Sequence, residues 1–386
     1  MPYSLQAVKP MMPKEALISV KMWTESQITD LRVGLLDWYD RMGRTLPWRV
    51  RPEDRARGVV PDPYAVWLSE IMLQQTTVPH ATPYWEKFLA AFPTVTDLAN
   101  ADREQVMAMW AGLGYYARAR NLYKCAQIIR DDHGGIFPGT EAALLKLPGI
   151  GPYTAAAIAG ICFDEATVVV DGNVERVISR MARVDAPLPR GKKDIKSVAA
   201  QVADVKRSGD YSQALMDLGA TVCTPRNPKC GICVWDGMCA AHAGGVEEDY
   251  PKKLKKKPLP KRFGAAFVLR SYDGYVLLRQ RPDQGLLGGM LEFPGTEWGV
   301  ALPESVEDFA PIKTHWQKQK LQVRHVFTHF ELTLDVYTAS LDNRTALNTL
   351  KSSPNAEKIK IVSEHSLDSE ALPSVMVKVL RVAIPN

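Results

Sequence analysis

The residues best able to do chemistry are four cysteines, two carboxylates and a glycine-rich turn. Cys223, Cys230, Cys233 and Cys239 follow the spacing C-x6-C-x2-C-x5-C and account for four of the 6 cysteines in 386 residues. So few cysteines make a poor disulfide scaffold for this length, and their clustering points to metal. Structural zinc usually takes two C-x2-C-like pairs. Only one is present here, so four thiolates packed this densely suit a 4Fe-4S cube better than a zinc ion. Arg226 and Lys229 lie in the first loop of the cluster, within reach of a phosphate, whereas Cys125 and Cys162 sit in helical apolar patterns and read as inert core.

The first carboxylate is Glu70. Asp62-Pro63 supplies a cap and a first-position proline, which predicts a helix from Tyr64 to about Thr77, with Pro79 beyond it. Glu70 shares a face of that helix with Val66, Trp67 and Leu73, at spacings of three and four. Burial there favours the protonated acid, the form that can give a proton to a leaving group, although a boundary Glu paired to a nearby Arg or Lys has the same pattern. The turn Leu147-Pro148-Gly149-Ile150-Gly151 stands between two helical stretches. Gly149 and Gly151 permit a tight backbone, and the free amides at the start of the next helix suit a phosphate; ordinary helix–helix turns also use Pro and Gly. The second carboxylate, Asp171, follows the apolar run Val168 to Val170 and is placed to cap a helix beginning near Val174. A capping Asp that accepts amide hydrogen bonds is expected to have a low pKa, so Asp171 and Glu70 would differ in protonation.

These groups need elements to position them. With 46% hydrophobic and 24% charged residues the chain can bury a core, which excludes wholesale disorder and fibrous composition. A net charge of +5 decides little about partners. No apolar run reaches membrane-spanning length and no signal-peptide pattern opens the chain, so a cytoplasmic location is expected. Residues 1–23 read as a flexible tail. From Leu31 to about Ala240 the apolar period is helical, with a strand conceivable only at Val168 to Val170. Residues 241–262 read as a basic Pro/Lys linker, and the period then changes. Phe263 to Arg270 and Tyr275 to Arg281 predict a hairpin around Asp273-Gly274, Phe330 to Tyr337 a half-buried strand, and Pro373 to Ile384 a closing helix.

Hairpin, aspartate and cysteine spacing, in this order over residues 24–240, resemble the helix-hairpin-helix DNA glycosylases of the endonuclease III superfamily. Within that group, the segments Trp67-Leu68-Ser69-Glu70-Ile71-Met72-Leu73-Gln74-Gln75-Thr76 and Val170-Asp171-Gly172-Asn173-Val174 resemble the adenine DNA glycosylases, the MutY family. The resemblance implies a multidomain α plus α+β chain. It would comprise an all-helical glycosylase core, with a six-helix barrel at about 51–165 and an iron–sulfur cluster domain of 24–50 plus 166–240, and then a Nudix-like α/β-sandwich C-terminal domain at 263–386.

It also implies a monomer acting in base excision repair on double-stranded DNA that carries adenine mispaired with 8-oxoguanine or guanine, without a membrane and with a 4Fe-4S cofactor. A bacterial member would associate with the nucleoid. Glu70 and Asp171 are the implied catalytic pair, oriented by Asn173 and Tyr153. Gln75 and Tyr115 are implied to fill the gap left by a flipped base, with Thr76 and Leu113 on the 8-oxoguanine side, and Gly149 and Gly151 are implied to meet the DNA backbone. Phe327-Thr328-His329 is similar to the family's Phe-Ser-His loop, with Thr in place of Ser. Relatives that also cut the strand follow the hairpin with a lysine, whereas Tyr153 stands here, and a phenol cannot form an imine with the sugar. Base removal without efficient strand cleavage is therefore expected, with Lys146 capable of at most adventitious reaction. After Leu291-Glu292-Phe293-Pro294-Gly295 there is no R-E-x-x-E-E run, and Glu297, Glu304 and Glu307 are too scattered to replace it, which disfavours a nucleotide hydrolase. A non-catalytic damage sensor would be suggested by loss of a carboxylate, but both are present.

Overall fold

The computed structural model describes residues 22–254, 257–352 and 359–384. The chain divides into two compact units, one made of residues up to Pro61 with Gly139–Ala142 and Pro152–Lys255, the other of Asp62–Pro138, Ala143–Gly151 and the chain from Lys256 onward. No helix among the described residues is long and apolar enough to cross a membrane.

The first unit is helical. At its centre the Ser208–Thr221 helix is buried from Ser208 to Gly219. It packs this closely because it has no side chain where it meets Pro152–Phe163: a Cβ on Gly209 would lie 2.5 Å from the carbonyl oxygen of Gly160. The buried Asp217 of the central helix accepts from the Arg44 amide at 2.8 Å and from Arg49 Nη1 at 2.7 Å, which fixes the chain after the Glu25–Met42 helix. The predicted tail lies outside the described residues as far as residue 21, but Trp23 is buried and Thr24 caps that first helix. Val168 to Val170 forms no strand; the Thr167 amide, just before it, donates to Ser208 Oγ at 3.1 Å. The linker predicted from residue 241 also begins later. Tyr250 is buried, its hydroxyl donates to Asp185 at 2.7 Å, and Lys252 pairs with the same carboxylate, so the chain stays attached to the helical unit through Lys253.

The second unit contains the helices Pro63–Met72, Val78–Ala91, Val95–Asn100, Arg103–Met109 and Ala117–His133 and a mixed seven-stranded sheet. Its strands are β1 (Lys261–Ser271), β2 (Tyr275–Gln280), β3 (Leu291–Glu292), β4 (Gln317–Lys318), β5 (Val323–Val326), β6 (Glu331–Leu341) and β7 (Ile359–Ser363). Parallel β1 and β6, in register from Lys261↔Glu331 to Ser271↔Leu341, form the spine, and the other pairings are antiparallel. Alternate residues of β1 serve opposite faces. Ala266 and Val268 join Met376 and Val379 of the Ser374–Ala383 helix, while Phe267 and Leu269 join Trp316 and Leu347. The predicted hairpin and closing helix are present, with Gly274 at φ 82° in the turn. Asp335, expected on the wet face of β6, is buried against Lys318 and Gln322, whose side chains satisfy both of its oxygens.

Candidate functional site

Asp62 caps the Pro63–Met72 helix as the sequence predicts, accepting from the Tyr64 amide at 2.9 Å, and every residue from Val66 to Met72 is buried. Glu70 is 7% exposed among them. Trp67, one turn before it, packs edge-on against Phe137 at 5.4 Å, so the carboxyl group is carried on an immobilised apolar helix rather than on a solvated surface.

That helix stops at Met72 instead of running to Thr77, for two reasons. The chain enters a left-handed conformation at Gln75, φ 61°, and the last carbonyls are taken by a side chain. Arg118 Nη1 donates to the carbonyls of Ile71, Met72 and Gln74 at 2.7, 3.2 and 2.8 Å, and Nη2 donates to those of Leu113 and Gly114 at 3.0 and 3.1 Å. One guanidinium therefore joins the turn after Glu70 to the turn before the Ala117–His133 helix. Burial lowers the Arg118 pKa to about 10, so it stays charged at neutral pH. Sequence reasoning passed over this residue. Its one legible signal is a cation in the first turn of a helix, where the macrodipole disfavours it.

The second turn presents Tyr115, also left-handed at φ 49° and half exposed. Tyr115 and Gln75 share the lining of a cavity of about 700 Å³ with Leu286, Leu287, His325, Phe327, Thr328 and His329. Across it the Tyr115 hydroxyl lies 3.3 Å from Thr328 Oγ1. Phe327 is seated by Trp298 at 5.6 Å, Phe330 at 4.9 Å and His325 at 4.6 Å, an aromatic group that holds the loop carrying Thr328. The structure thus brings together five of the residues selected from sequence. Leu113, buried, and Thr76 stand in the same two turns outside the lining. At the Leu147–Gly151 hairpin, Leu147 and Ile150 anchor the turn in the core. Gly149 has φ 77°, and a Cβ there would lie 2.6 Å from Asn121 Cβ, so no other residue fits; Gly151 is exposed with open space around it.

Asp171 belongs to the first unit and caps the Gly172–Met181 helix, accepting from the Val174 amide at 2.7 Å and from Asn173 Nδ2 at 2.9 Å. Its pKa is raised, against the low value the capping role suggests: burial outweighs the hydrogen bonds of Val174 and Asn173 and the nearby Arg176. Asn173 is itself fixed from two sides. Arg176 Nη2 donates to its Oδ1 at 2.9 Å and to the Gly219 carbonyl at 2.6 Å, and a Cβ on Gly219 would lie 2.7 Å from Asn173 Cβ. Arg176 Nε also donates to the Cys223 carbonyl at 2.7 Å, which ties the cysteine loop to the helix that Asp171 caps. Tyr153 places its hydroxyl 3.6 Å from Met216 Sδ of the central helix.

The four cysteines are all reduced and partly buried. Burial pushes Cys230 up to about 11 and Cys233 to about 12, and the neighbouring sulfurs add to the rise, so thiolates here gain from a positive charge. Iron would supply that charge. Among the described residues the metal-ligating set drawn within 4.8 Å is Cys230, His242 and Glu247, not any three of the cysteines. Arg180, buried, donates to Cys223 Sγ at 3.3 Å and to the carbonyls of Thr224, Pro225 and Tyr250. In the sheet domain, Glu292 is consumed by Arg279 and Arg281, and Glu297, Glu304 and Glu307 are exposed. Among the described residues this domain assembles no metal-ligating group.

Comparison with known proteins gives three family matches, the first of which spans parts of both compact units. Residues 68–201 match the model of the HhH-GPD superfamily of base excision DNA repair proteins, 223–239 the iron-sulfur binding domain of endonuclease III, and 265–382 the NUDIX domain. The adenine DNA glycosylase of Homo sapiens is 35% identical over 92% of this chain and 74% of its own length. That of Rattus norvegicus is 34% identical over 92% of this chain and 78% of its own. A solved thermostable thymine-DNA glycosylase, 26% identical, aligns with 57% of this chain and 98% of its own at a TM-score of 0.49. The match over 223–239 begins at Cys223 and ends at Cys239, the chain accordingly carries a 4Fe-4S cluster, and it belongs to the adenine DNA glycosylases of base excision repair.

Proposed function

We propose that this glycosylase removes adenine mispaired with 8-oxoguanine, or with guanine, in duplex DNA, and that it does so without cutting the strand. The observation that carries the reading is the cavity in which Gln75 and Tyr115 face Phe327, Thr328 and His329. Two left-handed side chains stand exposed beside a hydroxyl on an aromatic platform. 8-Oxoguanine differs from guanine by an O8 acceptor and an N7–H donor. A threonine hydroxyl both donates and accepts, so Thr328 can address either atom, and guanine offers neither in that form.

The adenine opposite must leave the stack to be reached, at a cost of a few kcal/mol. Gln75 and Tyr115 occupy the space it leaves. Glu70 gives a proton to adenine N7, which turns a poor anionic leaving group into a neutral one. Asp171 stabilises the cationic sugar that results. Its raised pKa suits this task, because an ionised carboxylate that burial disfavours gains most when a positive charge arrives beside it. Asn173 holds the carboxylate in place, and Tyr153 contributes to orientation. Asp171 can then bond to the sugar until water, activated by Glu70, releases the abasic site with retained configuration. Tyr153 in the position of the strand-cutting lysine leaves no amine at that position to carry the sugar onward.

The test is Thr328→Val, which keeps the shape and removes the hydroxyl. Excision of adenine opposite 8-oxoguanine should fall about three- to tenfold, the worth of a hydrogen bond, while excision opposite guanine is unchanged. Equal rates for variant and wild type on both duplexes would remove Thr328 from lesion recognition.

A further inference from the structure

Gln75 at φ 61° and Tyr115 at φ 49° are two of the three described non-glycine residues of the second unit held in the left-handed region, Leu287 at φ 56° being the third. A residue so held persists only where its surroundings fix it. The Gln75 turn is closed by a 3.3 Å bond from the Thr76 amide to the Leu73 carbonyl, and the Tyr115 turn by Trp110 Nε1, which donates to the Gly114 carbonyl at 3.1 Å, and by the Arg118 amide, which donates to the Tyr115 carbonyl at 2.8 Å. What the two have in common is Arg118, whose guanidinium donates to three carbonyls on one side and two on the other. The same cation lies 5.2 Å from the Trp110 ring centroid and 5.6 Å from that of Tyr115. A lysine has three donors on one tetrahedral nitrogen and cannot reproduce this planar fork.

We propose that Arg118 is the positioning residue for base extrusion, a brace that holds the Gln75 and Tyr115 turns in register so that both side chains enter the duplex together. This rests on the reading of Gln75 and Tyr115 as gap-filling residues. Arg118 acts by sparing the enzyme the ordering of two turns at the moment the adenine leaves the stack. Because it serves extrusion and not the bond-breaking step, its loss should be repaired by any duplex from which adenine escapes easily.

The experiment compares single-turnover adenine release from a fully paired duplex and from one whose pairs flanking the adenine are mismatched. Arg118→Lys should lose about ten- to a hundredfold on the paired duplex, the scale of misplaced groups, and under about threefold on the flanked one. Gly114→Ala strains the far end of the brace at φ 70° without burying an unpaired cation, and should show the same pattern more weakly; it carries the test if Arg118→Lys does not fold. Gln75→Ala and Tyr115→Ala should also recover on the flanked duplex, whereas Glu70→Gln should be inactive on both. Recovery of Gln75→Ala and Tyr115→Ala without recovery of Arg118→Lys or Gly114→Ala overturns the brace alone. No recovery of Gln75→Ala and Tyr115→Ala overturns the gap-filling reading, and the brace with it.

Discussion

The side-chain amide of Asn173 donates to Asp171 Oδ2 at 2.9 Å, and its carbonyl is held by Arg176 at 2.9 Å, so the amide cannot flip without breaking both contacts. Asp171 is therefore oriented by a chain of bonds that continues from Arg176 to the Cys223 carbonyl. Arg176→Gln should slow adenine release by up to about a hundredfold while duplex affinity changes far less, because the guanidinium is spent on Asn173 and on the Gly219 and Cys223 carbonyls. Single-turnover rates and equilibrium binding on the same duplex measure the two separately. A matching loss in both would show that Arg176 serves binding instead.

The raised pKa of Asp171 carries a stability signature. A carboxyl whose folded pKa lies above its ordinary 3.8 is a burden to the folded state once pH exceeds that folded value, and the burden disappears below the ordinary value. Asp171→Asn removes the titration. The melting temperature of the variant, taken relative to wild type, should therefore move upward as pH rises through this range, whatever the constant cost of the altered hydrogen bond to Asn173. A difference that moves downward with rising pH would mean that hydrogen bonding, not burial, dominates at Asp171.

The loop between β2 and β3 clasps the helices of its own unit. Asp283 pairs with Arg103 at 2.5 Å and the Gly288 carbonyl accepts from Arg120. Loop and helices also share the cavity that contains Thr328 and Tyr115. Arg103→Asp or Asp283→Arg alone should lower the preference for 8-oxoguanine over guanine, by about fivefold at most for so exposed a pair, and the double reversal should restore it. Single reversals that leave the preference intact would exclude the clasp from recognition.

At the cysteine loop, Arg180 donates to Cys223 Sγ and to three carbonyls. Arg180→Gln leaves several of these without a partner and should reduce the iron bound per purified chain and the visible absorbance of the cluster, together with the melting temperature. Full iron content with an unchanged melting temperature would make the contact dispensable.

Much of this site is legible in the sequence because its parts are local. The Asp62 and Asp171 caps, the Asp273-Gly274 turn and the cysteine spacing each follow from a few adjacent residues. The failures occur where distant segments decide. The helix after Glu70 is cut short by Arg118, forty-six positions beyond its end at Met72. The linker is shortened because Tyr250 finds Asp185, and Asp335 turns inward because Lys318 and Gln322 meet it. The Asp171 pKa is missed for the same reason: its hydrogen bonds come from its own cap, whereas the burial that outweighs them comes from the packed unit around it.

Whether Glu70 is the acid is decided by one comparison, the single-turnover release of adenine opposite 8-oxoguanine by wild type and by Glu70→Gln, with duplex binding measured alongside. The variant should bind the duplex and leave its adenine in place. Release by Glu70→Gln at a substantial fraction of the wild-type rate would contradict the proton-donor role and the chemistry built on it.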